Sequence, residues 1–193
     1  MTAPQRRPGQ GRTPRADALR NRERIVEVAR ETFAAEGPGA SLNEIARRAG
    51  IGPGTLYRHF PTRAALQAAV LADRIERLSA RAAELRDTAP PDEALTEWLR
   101  AFLAHASTDH GLAGRLIAEE TADLGMDCHQ AIRDAAAGLL DRAQRAGTAR
   151  ADVSAVDMID LVVGVALATR GQDGADSGRP ERLLGLVLDA LRG

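Results

Sequence analysis

The sequence predicts an all-α protein, with a small N-terminal helix–turn–helix unit followed by a larger helical bundle. Three observations carry that expectation. Hydrophobic residues make up 44% of the 193 positions but aromatics only 3%, so the core must be built from Leu, Ala and Val. Apolar residues recur every three or four positions, and no alternating strand pattern competes with them. Glycine and proline fall between the periodic segments at helix-length intervals.

Composition also excludes several classes. The one cysteine, Cys128, precludes an intramolecular disulfide and fits a reducing compartment. No apolar run is long enough to span a bilayer and no charged start leads into an apolar core, so we expect a cytoplasmic protein with no membrane partner. Residues 1–63 hold 12 arginines and 6 acidic groups, a net +6, whereas residues 64–193 hold 14 and 21, a net −7. All basic side chains are arginine. A basic N-terminal part on an otherwise acidic chain suggests that this part alone faces phosphate.

In chain order, residues 1–16 are rich in Pro, Gly, Gln and Arg and are expected to be a disordered basic arm, either lying along nucleic acid or simply solvated. Residues 17–61 read as the helix–turn–helix domain. Its first helix, about 17–35, carries Leu19, Ile25, Val26, Ala29 and Phe33 on one side and ends at Gly37-Pro38. The next has Leu42, Ile45, Ala46 and Ala49 at i, i+3, i+4 and i+7. Ser41 and Glu44 are spaced as a capping box at its start, and Gly50 is placed to end it with positive φ. Gly52 suits the N-cap of a third helix and Pro53 its first position.

That third helix buries Leu56 and Phe60 at i, i+4. Its other face shows Gly54, Thr55, Tyr57 and Arg58, with His59 at one edge: donors, a cation, a phenol and almost no bulk at the start. Such a face can approach a phosphate or a base edge, which outlines a reader of the major groove of double-stranded DNA. A polar hairpin meeting only water has the same spacing. Arg58 is the expected base reader, at guanine O6/N7. Thr55 and Gly54 would touch a base methyl or permit close approach, and Asn43 and Arg47 lie on the outward face of the preceding helix. Tyr57, His59, Arg63 and the helix start at Thr62 are the expected phosphate contacts.

The run RERIVEVARETFAAEG…SLNEIARRAGIGPGTLYRHFPTRAAL resembles the DNA-binding domain of tetracycline-repressor-type (TetR family) regulators over about residues 20–70. Pro38-Gly39 stands where the family often has an aromatic, and Arg63 where lysine is usual. The resemblance implies a one-component transcriptional regulator, a repressor by family default. It also implies homodimers that bind a near-palindromic operator and release it when a small-molecule effector enters the larger domain.

Residues 62–193 are expected to be that ligand-binding and dimerisation domain. A long helix should run from Thr62 to about Leu85 and stop before Pro90-Pro91. Further helices are expected at about 92–107, 111–121, 126–146, 153–170 and 179–192. The last two present broad apolar faces, with Val156, Ile159, Val163, Gly164 and Leu167 on one and Leu184, Val187, Leu188 and Leu191 on the other. The family resemblance makes them the dimer interface, although they could equally complete the monomer core. Expected pocket-wall residues are Trp98, Phe102 and His105, spaced as a helical stripe that is also compatible with plain core, together with Met126, Cys128, His129 and Met158. A mostly hydrophobic effector follows from the scarcity of polar groups in these stripes.

Two competing classes have weaker support. An enzyme would need a G-x-S-x-G elbow, a nucleotide loop or an H-E-x-x-H pair, and none is present. His105 and His110 lie on different helix faces, Glu119-Glu120 reads as solvated, and no cofactor motif is seen. A metal-sensing regulator could draw on His105, His110, Glu120, Asp123, Asp127, Cys128 and His129, but no C-x-x-C or H-x-x-x-H spacing supports one.

Overall fold

The computed structural model describes residues 14–108, 128–170 and 178–192. Among these the protein forms eight α-helices and no strand: α1 (Pro14–Glu36), α2 (Leu42–Arg48), α3 (Pro53–His59), α4 (Arg63–Thr88), α5 (Pro91–Thr108), α6 (Cys128–Arg145), α7 (Ala155–Ala168) and α8 (Arg179–Leu191). Residues 1–13 of the expected arm, the expected helix 111–121 and residues 171–177 before the last helix lie outside the described residues, as do His110, Glu119, Glu120, Asp123, Met126 and Asp127. No described helix is long and apolar enough to cross a membrane. The chain divides into two compact units, Met1–Arg63 and Ala64–Gly193.

In the first unit α1 packs on α2 and α2 on α3. Ile25, Val26, Ala29 and Phe33 of α1 are buried, as are Leu42, Ile45, Ala46 and Ala49 of the α2 segment and Leu56 and Phe60 of the α3 segment. The expected stripe of α1 begins one turn too early, because Leu19 is 62% exposed. The helix itself begins earlier than expected, at Pro14, so it takes in the end of the expected arm. Arg48 fastens α2 to α1, paired with Glu36 at 2.9 Å and donating to Thr32 Oγ1 at 3.4 Å. Arg22 lies over the Phe60 ring, 5.1 Å from its centroid, and so binds the end of the α3 segment to α1.

The second unit is a bundle in which α5 is central, packing against α6, α7 and α8. Its core runs through Leu78, Leu85, Trp98, Leu99, Phe102, Leu139, Met158, Val162 and Leu184. Trp98 is fully buried, and its indole Nε1 donates to the Leu78 carbonyl at 3.0 Å, which satisfies the one polar atom of the largest core side chain. The α6–α7 turn is made by Gly147 (φ +71°). It is held by Gln144, whose amide donates to the Arg150 and Val153 carbonyls at 3.0 and 2.9 Å. A reciprocal capping box between Ser154 and Asp157 then starts α7, two residues later than the periodicity suggested.

Candidate nucleic-acid interface

The α2–α3 turn is set by a few local residues. Ser41 Oγ accepts from the Glu44 amide at 3.4 Å and so caps α2. Gly50 takes φ +66°, which ends α2 and turns the chain. Gly52 is the N-cap of α3 and Pro53 follows it, as the turn chemistry requires. With Leu56 and Phe60 buried below, the opposite face of α3 is left outward. Gly54, Tyr57 and Arg58 are exposed, while Thr55 and His59 are half-buried at its edges.

Gly54 is informative because nothing in the protein needs it. A Cβ built there meets no heavy atom within 4 Å, and its φ is not in the left-handed region. With no side chain at Gly54, the start of the outward α3 face carries no bulk.

Arg58 is folded back on its own helix. Its Nε donates to the Gly54 carbonyl at 3.2 Å and its Nη2 to Thr55 Oγ1 at 3.0 Å. One edge of the guanidinium is thereby fixed, and the Nη1/Nη2 edge still has donors for an acceptor pair such as guanine O6/N7. Thr55 thus gains a task that sequence spacing did not suggest, as the hydroxyl that orients Arg58.

The flanking residues are more engaged than their sequence positions implied. Glu44 does not reach back to complete the capping box. Its carboxylate takes bonds from Arg47 at 2.8 and 2.7 Å and from Arg48 at 2.8 Å. These two guanidinium groups hold the Glu44 carboxyl down at about 2. Arg47 remains 74% exposed, at the surface beside exposed Asn43, so its pairing is open to exchange for a phosphate.

Arg63 differs. Its Nη1 donates to the carbonyls of Pro38 and Ala40 at 3.1 and 2.6 Å, so the expected phosphate contact is occupied in bracing the α1–α2 loop. The brace also accounts for how this chain carries Pro38-Gly39 in a loop with no aromatic plug. Thr62 is exposed and immediately precedes α4.

In the second unit the expected site residues divide. Trp98, Phe102 and Met158 are core, with Trp98 and Phe102 stacked at 5.5 Å and His105 stacked on Phe102 at 6.2 Å. Cys128 is buried, and His129 is exposed. No three His, Cys, Asp or Glu side chains converge as a metal site among the described residues.

On the expected dimer faces, Val156 and Leu167 are 51% and 53% exposed, Gly164 is exposed, and Ile159, Val163 and Val187 are half-buried. Leu184, Leu188 and Leu191 must be reassigned to the monomer core, where they are 1%, 9% and 3% exposed. Leu161 and Leu186 also point outward, at 48% and 65% exposed.

Comparison with known proteins agrees with this architecture. Residues 25–70 match the profile of bacterial regulatory proteins of the tetR family, and residues 90–193 match the C-terminal domain of SbtR-like transcriptional regulators. A TetR transcriptional regulator of Streptomyces coelicolor is 39% identical, with 89% of this chain and 98% of that one covered and a TM-score of 0.74. A TetR regulatory protein of Mycobacterium vanbaalenii is also 39% identical, covering 94% and 100% with a TM-score of 0.69. An HTH-type transcriptional regulator of Staphylococcus aureus is 55% identical over 47 residues, a match spanning 24% of this chain and only 25% of that relative. These are regulators and not enzymes. With a helix–turn–helix whose second helix is exposed on its polar face and a C-terminal part that matches over residues 90–193, the chain belongs to the TetR family of DNA-binding transcriptional regulators.

Proposed function

We propose that the protein is a cytoplasmic, ligand-responsive repressor that binds a near-palindromic operator as a homodimer, with one α3 per protomer in successive major grooves. The observation that carries this reading is the outward face of α3, where Arg58 is oriented by Thr55 and Gly54 leaves room for the groove. A single seven-residue helix contacts too few base pairs for useful specificity, and two-fold pairing solves that.

The faces of α7 and α8 supply the means of pairing. Val156, Leu161, Leu167 and Leu186 are apolar and about half exposed or more, an arrangement that water disfavours and a second copy would cover. A Cβ on Gly164 would meet nothing within 4 Å, so a partner helix can approach closely there. An effector bound in the second unit acts on DNA affinity only if it binds the DNA-competent and DNA-released states differently, and a change in spacing of the two α3 helices provides that difference.

The test is a scan of single base changes across the operator with wild type and Arg58→Ala. Loss of one base contact should cost about 1–3 kcal/mol and flatten the preference at one position per half-site. A uniform loss across all sequences would show that Arg58 binds phosphate and does not read a base.

A further inference from the structure

A cavity of about 350 Å³ opens between α4 and α6. It exists because small residues face each other across it, Ala82 on α4 against Ala135 and Gly138 on α6. Its polar groups are Ser79, Arg86 and Asp134. The Ser79 hydroxyl is buried and has no hydrogen-bond partner. Leaving such a group unsatisfied costs stability, and a ligand acceptor removes that cost.

Arg86 is exposed and lies beside Gly138, its Nη1 3.8 Å from where a Cβ would stand there, and it has no ion pair or hydrogen bond among the described residues, so its guanidinium is free to exchange water for an anion. The neighbouring arginine of the same helix is placed otherwise, since Arg81 is bonded to Glu84 at 2.6 Å and to Glu97. Asp134 forms no ion pair with Arg86. Its carboxylate accepts from the Gln130 amide at 2.7 Å, one turn back along its own helix.

We propose that this cavity binds a small organic carboxylate that carries a second acceptor at its far end. The carboxylate sits on the Arg86 guanidinium, which matches a planar two-oxygen anion, and the far acceptor takes the Ser79 hydroxyl hydrogen. Ser79 and Arg86 are seven residues apart on one helix, two turns or roughly 10 Å, which sets the length of the ligand. The apolar body of the ligand lies over Ala82 and Ala135. That this is the effector site rests on the ligand-responsive reading above, whereas the binding itself does not.

The experiment is calorimetric titration of the full chain with 8-hydroxyoctanoate, octanoate and 8-hydroxyoctanamide. The hydroxy acid should bind saturably, and both its amide and the Arg86→Gln variant should lower affinity by about twofold to fivefold, the range of a pair made by an exposed arginine. Octanoate should bind wild type more weakly than the hydroxy acid does, and Ser79→Ala should erase that preference with no loss of melting temperature. Asp134→Asn should leave affinity equal or higher.

Equal binding of acid and amide, a loss in Asp134→Asn as large as in Arg86→Gln, or no saturable binding up to about 10 mM would overturn the proposal. Operator binding is measured in parallel without acid. Failure of wild type there would overturn the regulator reading and leave the cavity assignment standing.

Discussion

Gly54→Ala should make the protein more stable and a poorer DNA binder at once. Gly54 is the second residue of α3, its φ is ordinary, and a Cβ there meets no atom within 4 Å. Alanine therefore adds no clash and removes the conformational freedom that glycine gives the unfolded chain. In a helix interior that exchange is worth about 1 kcal/mol, and in a first turn about half of it is expected. For a unit of this size, about 0.5 kcal/mol raises the melting temperature by about 2–4 °C.

The added methyl points outward, on the face that carries Thr55 and Arg58. If that face meets the groove floor, the methyl separates surfaces that should touch, and an affinity loss on the order of tenfold, about 1.4 kcal/mol, is expected. Thermal unfolding and operator titration on the same preparation measure both effects. If Gly54→Ala binds operator as tightly as wild type, the α3 N-terminal face does not approach DNA and the placement of the reading helix is wrong.

Other expectations follow from the same contacts. Arg63→Ala removes both bonds to the α1–α2 loop and should destabilise the first unit by about 1–2 kcal/mol, which chemical denaturation would reveal. If it lowers DNA affinity without touching stability, Arg63 is a phosphate contact after all. Glu44→Gln should release Arg47, while Arg48 keeps its bonds to Glu36 and Thr32, raising affinity for all DNA sequences and steepening the salt dependence by up to about one phosphate contact; an unchanged slope would mean Arg47 does not reach DNA.

Because the Glu44 carboxyl is held at about 2 in the fold against an ordinary 4.5, its contribution to stability is complete above pH 4.5 and is lost as the pH falls towards 2. Acid titration of wild type and Glu44→Gln should therefore diverge only above that window's lower edge and coincide below it. On the second unit, Leu184→Ala should cost about 2–5 kcal/mol as a core cavity. Leu186→Glu should leave the fold intact and shift the molecule from dimer to monomer in sedimentation. A dimeric Leu186→Glu variant would place the interface elsewhere.

What the sequence conveyed best was local chemistry. The Ser41 cap, the positive φ at Gly50, and Gly52-Pro53 opening α3 depend on residues within a few positions of each other, and all are legible as spacing. The buried side of α2 and α3 follows from period alone. Contacts between distant residues are not encoded in that way. Nothing near Arg63 in sequence announces that its guanidinium will bond to carbonyls 23 and 25 residues earlier. Glu44 had two outlets, the helix start or the arginines after it, and spacing alone favoured the wrong one.

Helices α7 and α8 fail for a different reason. Both are apolar around much of their circumference, so period cannot separate the core-facing Leu184, Leu188 and Leu191 from the outward Leu186. Leu19 sits in phase with the α1 stripe but one turn beyond the residues it would pack on. The α4–α6 cavity was equally out of reach, since it arises from small residues on two helices facing each other, a fact of packing and not of pattern.

In the proposed function, two copies of this chain read one DNA site through α3. Its most direct test is titration of purified protein onto the DNA flanking its own gene across a salt series. The expected result is a tight shift that depends on a near-palindrome, two protomers per site, and affinity that falls steeply with salt. Weak binding indifferent to sequence, or one protomer per site, would contradict it.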